Sequence, residues 1–372
     1  FSRAIKEELV RLDQVTFESP SPKGYPIDDA AWMDASALIN RWNLAFRVAA
    51  NRVRETDIDT GGFAGGATTA GEMVDRLEAM GINMLFVVGG DGTIRGAMSI
   101  ADEIAARNRH ISVIGIPKTI DNDINFADQS FGFQTAISEG TSSVRSALVE
   151  ASGAPQGIGL VKLMGRHSGF IACYSSLAVS DVNFVLIPEV PFELGGENGF
   201  LAALKRQMDD KGRAVIVVAE GAGQELMQRC DQTDASGNSK LGDIGVWLKQ
   251  QIEADFASEH RELNLKYIDP SYSIRSVPAN AYDAVFCRRL AHNAVHAAMS
   301  GRTKMVVSRW HTKFVNVPMQ LAIRERNCVD PNGDLWMTVL ESTGQPPRYS
   351  TPPVPAQSAR GPHLNGHVTA VH

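Results

Sequence analysis

Two aspartates stand two residues apart in Pro117-Lys118-Thr119-Ile120-Asp121-Asn122-Asp123, behind a proline that restricts the backbone. That spacing lets both carboxylates face one way. Asp121 then accepts the proton of a substrate hydroxyl, Asp123 supplies negative charge beside it, and Lys118 sits next to a transferred phosphate. Such a transfer needs positioning and charge neutralisation more than covalent chemistry. Upstream, Gly89-Gly90-Asp91-Gly92-Thr93 offers bare backbone N–H groups to phosphate oxygens and an oxygen ligand, Asp91, to Mg²⁺. Each motif has a plainer reading. GGDG alone is also a strand-to-helix turn with Asp91 as N-cap, and the aspartate loop is also an Asx-rich turn bonded to its own backbone. Arg95 reads as a solvated residue.

Further candidates lie downstream. Met164-Gly165-Arg166-His167-Ser168-Gly169 follows an apolar run where a helix should start; Arg166 forms a structural ion pair or, in a cleft, offers the planar fork that suits a sugar phosphate or carboxylate, and His167 reads as a helix-start residue. Glu220 ends another apolar run and can accept hydrogen bonds from sugar hydroxyls. Tyr272 and Arg275, in Pro270-Ser271-Tyr272-Ser273-Ile274-Arg275, can grip a phosphate or form a packed turn. His292 and His296 share a helix face but have no third ligand, so a metal role is not assigned to them.

These residues need strands to carry them. Met84-Leu85-Phe86-Val87-Val88 and Ile111-Ser112-Val113-Ile114-Gly115-Ile116 are apolar on both faces, as buried parallel strands are, with a helix between them near 96–107. Both motifs then sit at strand carboxyl ends, where open parallel sheets bind ligands. A second set of runs at 157–163, 183–188 and 214–219 makes a second α/β unit, and Ser152-Gly153-Ala154-Pro155 reads as the linker between the two. Residues 1–24 form a charged, turn-rich extension; the proline-rich tail 344–372 is expected to be an extended or mobile arm.

The chain has 372 residues, 44% of them apolar, enough for two cored domains. Its net charge of -6 supplies no basic field for a nucleic-acid backbone. No apolar run approaches the roughly 18 residues that span a bilayer. Cys173, Cys230, Cys287 and Cys328 show no CxxC or metal spacing and read as reduced thiols, which points to the cytoplasm.

Taken together, GGDGT (89–93), PKTIDND (117–123), MGRHSGF (164–170), AEGAGQ (219–224) and KYIDPSYSIR (266–275), in that order, resemble the 6-phosphofructokinases over residues 81–307. The resemblance implies an α/β protein of two Rossmann-like parallel-sheet domains with the active site in the cleft between them. Residues 25–153 plus about 269–340 would form the donor domain, and 154–268 the sugar domain. It implies transfer of a phosphoryl group to the 1-hydroxyl of fructose 6-phosphate, with Asp121 as base, Asp123, Thr119 and Lys118 beside the reacting groups, and Asp91 serving Mg²⁺. Gly89, Gly90, Gly92 and Thr93 would cradle the donor. Met164, Gly165, Arg166 and Glu220 would hold the sugar. Tyr272 and Arg275 would reach its 6-phosphate, joined by Lys266 from a neighbouring subunit of a homotetramer or homodimer. The donor is ATP by the glycine at position 92 and pyrophosphate by Lys118; ATP is favoured. The family's GGxCPG and TSR-type phosphate loops, expected before residue 69, are not recognisable. If they are truly lost, the alternative is a non-catalytic regulatory or sugar-phosphate-sensing subunit.

Overall fold

The computed structural model describes residues 70–227 and 241–349, and of Arg275 the backbone alone. The N-terminal extension, the sites of the two upstream phosphate loops, Cys230 and tail residues 350–372 lie outside the described residues. In chain order the elements are α1 (Ala70–Ala79), β1 (Met84–Gly89), α2 (Asp91–Ala106), β2 (Ser112–Pro117), α3 (Phe133–Gly153), β3 (Gly157–Leu163), α4 (Phe170–Leu177), β4 (Phe184–Leu186), α5 (Phe200–Lys211) and β5 (Arg213–Ala219). There follow α6 (Ile244–Ser258), β6 (Asn264–Ile268), α7 (Ser271–Ser276), α8 (Ala281–Met299), β7 (Met305–Trp310), β8 (Lys313–Pro318), α9 (Met319–Ala322) and α10 (Asp334–Thr343).

The strands form two four-stranded sheets, ordered β1-β2-β7-β8 and β4-β5-β3-β6. All pairings are parallel except β7 with β8. The apolar runs become strands because both faces of each sheet are covered, so each side of the pleat needs an apolar residue. On β5, Val215 and Val217 pack against α3, α4 and α10, while Ile216 and Val218 point to α5 and α6. On β2, Val113 faces α1 and α2, and Ile114 and Ile116 face α8. The chain thus builds two α/β units, as expected.

Three departures follow from packing. The expected linker at 152–155 is shorter than read, because α3 continues through Gly153. What stops it is Pro155, which forces Ala154 into extended backbone (φ -125, ψ 142). The hairpin of β7 and β8 was not anticipated; β8 is only half-buried, so its sequence lacks a strong apolar signal. The tail does not leave the body at Gly344. Gln345 is buried and acts as a strand neighbour to β4: its Oε1 accepts from Val185 N (2.6 Å) and its Nε2 donates to Val185 O (3.1 Å). Tyr349 then enters the second core beside Phe184 and Phe200, with its backbone O accepting from Glu193 N at 3.0 Å.

Tyr349 is 3% exposed and its hydroxyl, sealed from solvent, has no hydrogen-bond partner among the described residues. Two opposite effects are expected from substitution. Tyr349→Ala costs ~3 kcal/mol by leaving a cavity, whereas Tyr349→Phe leaves stability unchanged or raises it. Denaturant melts of the two variants check the difference; no loss in Tyr349→Ala would show that the tail does not pack there.

Candidate functional site

The site begins with the parallel ladder of β1 and β2, whose register pairs Gly89 with Pro117. The ladder runs one bond beyond the strands, since Lys118 N donates to Gly89 O at 2.8 Å. The glycine turn and the aspartate loop therefore leave the sheet side by side. Helix α2 starts at Asp91, capped by Gly90 without a side-chain hydrogen bond. Asp91 is thus a first-turn residue and not the N-cap, so its carboxylate is available for other work. The first helical bond is Ile94 N to Gly90 O (3.0 Å), which leaves the amides of the turn without intrahelical acceptors and at the positive end of the helix dipole. A side chain at Gly89 would lie 2.3 Å from Thr93, whose own side chain packs over it. At Gly92 a Cβ would meet nothing within 4 Å among the described residues, so the fold itself does not demand glycine there.

The aspartate loop is braced from within. Thr119 Oγ1 donates to Asp123 Oδ1 (2.8 Å) and accepts from Asp121 N (3.2 Å). Between the two carboxylates Asn122 takes the left-handed conformation (φ 58), one that asparagine tolerates better than most residues. Its buried amide accepts from Ser130 N (2.8 Å) and donates to Asp128 O (3.3 Å). Side chains of the loop thus bond its own backbone, as a turn of this kind does, and these local bonds hold the carboxylates in place.

The second sheet meets this loop directly. Ser168 Oγ donates to Asp121 O at 2.6 Å, and Arg166 N lies 3.4 Å from Asp121 Oδ2. Met164, Gly165 and Arg166 lie just beyond β3, and Glu220 just beyond the neighbouring β5, joined by Glu220 N to Leu163 O (2.9 Å) and Gly221 N to Gly165 O (3.1 Å). The two loops touch so closely that a Cβ at Gly221 would fall 2.0 Å from Arg166 O. Gly165 adopts φ +136, which strains any other residue. His167 is exposed and precedes α4, which starts at Phe170, so it is not the helix-start residue expected.

Electrostatics single out Asp121. Burial, with the carboxylates of Asp123 and Glu220 nearby, raises its pKa from the usual carboxylate range to about 7; the Arg166 amide and the charge of Arg326 oppose the rise. Its Oδ1 is sealed from solvent and has no hydrogen-bond partner among the described residues. A carboxylate that resists ionisation where the loops of two sheets meet is suited to accept a proton.

Other expected residues lie further along the second sheet. Lys266 is exposed on the edge strand β6, and Tyr272 is 81% exposed on α7. The side chain of Arg275 lies outside the described residues. His292 and His296 lie on α8, and among the described residues no three metal-ligating side chains converge.

Several contributors had no signal in the motifs. Buried Lys162, on β3, donates to Asp269 Oδ2 (2.8 Å) and Asp243 Oδ2 (3.0 Å). Burial works against its ammonium, but those two carboxylates outweigh it and hold its pKa up. Asp269 also accepts from Ser271 N (3.0 Å), and Asp243 caps α6, so one lysine anchors the starts of both α6 and α7. Arg95 is exposed but not merely solvated: its Nη2 donates to Asp91 Oδ2 (3.2 Å) and to Ile323 O (3.1 Å). Residues 324–330 pass across the site. Asn327 donates from N to Asp123 O (3.0 Å) and from Nδ2 to Asn122 O (3.0 Å), and Arg326 pairs with Ile124 as a β-bridge. Glu189 Oε1 accepts from both Gly169 N (2.9 Å) and Val329 N (2.8 Å), tying that segment to the loop after β3.

Comparison with known proteins gives a consistent answer. The family model "Phosphofructokinase" matches residues 47–298. The chain is 54% identical over 295 residues to the "ATP-dependent 6-phosphofructokinase" of Amycolatopsis methanolica, covering 77% of this chain and 64% of that protein. It is 52% identical over 282 residues to the protein of that name from Borreliella burgdorferi, covering 74% and 63%. The chain thus spans a little under two thirds of the length of these relatives. Among solved structures, a pyrophosphate-dependent phosphofructokinase from Marinobacter aquaeolei superposes with a TM-score of 0.59 at 21% identity, over 77% of this chain and 73% of that one, a likeness of fold alone. Two three-layer parallel-sheet units, a carboxylate loop sealed between them and a profile match over most of the described core lead to one classification: the chain belongs to the phosphofructokinase family.

Proposed function

We propose that this chain transfers a phosphoryl group from ATP to the 1-hydroxyl of fructose 6-phosphate. One observation carries the reading: the aspartate loop of the first sheet is stitched to the sugar-side loop of the second through Ser168 and Arg166, with Asp121 between them. Asp121 takes the proton from the hydroxyl as that oxygen attacks the terminal phosphorus. The bond from that phosphorus to the bridging oxygen breaks, and its electron pair leaves with ADP. Lys118, exposed beside Gly89, and the amides of Gly90, Gly92 and Thr93 hold the donor phosphates. Met164, Gly165, Arg166 and Glu220 hold the sugar, and Tyr272, Arg275 and Lys266 its 6-phosphate across a homotetramer or homodimer interface. Close relatives bearing the ATP-dependent name support the choice of nucleotide.

Magnesium fits the donor set. It is commonly held by one or two carboxylates with substrate phosphates rather than by a protein cage, and Asp91 is a partly exposed carboxylate at the head of the glycine turn. When bound, the ion neutralises charge on the phosphates.

Since the base must be ionised, kcat/KM for the sugar should fall about tenfold per pH unit below about 7, the value at which Asp121 protonates. Asp121→Asn removes turnover by orders of magnitude while sugar-phosphate affinity changes much less. The same substitution carries a stability signature. Asp121's folded pKa is raised, so the folded state binds more protons than the unfolded one between about 4 and 7, and ionisation destabilises the fold as pH rises through that window. Asp121→Asn should therefore melt above wild type at pH 8 and lose that advantage by pH 4; a flat profile with normal turnover would remove Asp121 from the mechanism.

The donor is tested at Gly92. The described residues leave room for a side chain there, so Gly92→Asp should fold normally and act through the ligand. Use of ATP should drop at least tenfold while use of pyrophosphate does not; paired assays giving the reverse would make pyrophosphate the donor.

A further inference from the structure

We propose that Arg326 contacts the phosphate donor as a third element of the donor site, delivered by a segment beyond the region matched by the family model. The proposal rests on the reading of the site as one for phosphoryl transfer. It starts from a contrast between two arginines that share one carboxylate. Arg95 is committed: a single nitrogen donates to Asp91 Oδ2 at 3.2 Å and to Ile323 O at 3.1 Å, which ties α2 to the chain entering the 324–330 segment. Arg326 is not. Its Nη2 stands 3.9 Å from Asp91 Oδ2, beyond hydrogen-bond length, and its side chain is 38% exposed.

The backbone beneath Arg326 is held firmly all the same. Ile124, directly after the aspartate loop, pairs with Arg326; Asn327 makes its two bonds to Asn122 and Asp123; Val329 N is fixed by Glu189. A segment so well anchored, carrying a loosely paired guanidinium between the glycine turn and the aspartate loop, has the form of a phosphate-binding arm. Planar N–H pairs match phosphate oxygens, and such charge-assisted bonds are about twice as strong as neutral ones. The charge of Arg326 also lowers the proton affinity of Asp121, so it lies within electrostatic reach of that carboxylate. The placement explains why an exposed arginine stands in a segment whose other bonds are all structural.

Arg326→Met and Arg326→Lys in the intact chain separate this role from a structural one, because the bonds of the segment come from its backbone and from Asn327 and survive both changes. Two measurements are made: calorimetric binding of magnesium tripolyphosphate, which requires no turnover, and steady-state kinetics with ATP and fructose 6-phosphate. Arg326→Met should weaken tripolyphosphate binding at least tenfold and lower kcat/KM for ATP at least thirtyfold, with KM for the sugar within threefold of wild type. Arg326→Lys should recover part of the binding. Wild-type tripolyphosphate affinity in Arg326→Met, or no tripolyphosphate binding by the parent protein, overturns the assignment. A parent protein that binds tripolyphosphate through Arg326 yet phosphorylates no fructose 6-phosphate would sink the proposed reaction and leave this contact standing.

Discussion

Three carboxylates, Asp121, Asp123 and Glu220, crowd one shielded place, and the rest of the site is arranged around their repulsion. At an effective dielectric of about 20, two like unit charges about 4 Å apart repel by ~4 kcal/mol. The loop is not free to move. Thr119 bridges its two ends, Asn122 is sealed into the first unit, and Ser168 pins the Asp121 carbonyl from the second. Burial raises the proton affinity of Asp121 first and the remaining repulsion adds to it, which gives the carboxylate a property that suits a general base near neutral pH.

Such bracing works only if the two sheets are themselves stiff. Each is covered on both faces, and the loops that meet at the site leave strands buried along most of their length, so a shift of one loop would have to drag its strand through a packed core. Where the second sheet is less enclosed, at the edge strand β6, charge takes over. Lys162 lies inside the sheet and reaches two aspartates at helix starts. Removing one partner of such a group strands a buried charge, so the arrangement fixes geometry even if its net contribution to stability is small.

The parts of the molecule legible in the sequence are those whose signal is local. Five apolar runs become β1 to β5 within two or three residues, because a strand buried on both faces is apolar at nearly every position. The glycine turn and the aspartate loop were legible because their chemistry is compact and their distance from the preceding strand is short. Residues 324–330 were not. They are polar, without periodicity, and bond to groups some two hundred positions earlier, so nothing within a window around Arg326 or Asn327 announces Asn122 or Asp91 as partner. Gln345 escaped for the same reason: proline-rich surroundings suggest a free arm, while its amide completes β4 only because the fold brings that strand edge to it. Sequence composition reports what a segment can bury, and tertiary hydrogen bonding decides what an otherwise unremarkable polar residue does.

The unpaired oxygen of Asp121 connects stability to binding. A buried acceptor without a donor costs on the order of 1–3 kcal/mol, and neither Ser168 nor Arg166 relieves Oδ1, because they bond to the carbonyl and to Oδ2. A hydroxyl supplies the missing donor directly. In the proposed reaction, a substrate hydroxyl bound at Oδ1 would recover part of that penalty and present its proton to the carboxylate proposed to receive it. An amine in the same position would be attracted by all three carboxylates and would be held too strongly protonated to act as a nucleophile. For the proposed reaction, the crowding of acids therefore favours a neutral hydroxyl over an amine as the acceptor, and leaves the proposed donor contact to Arg326.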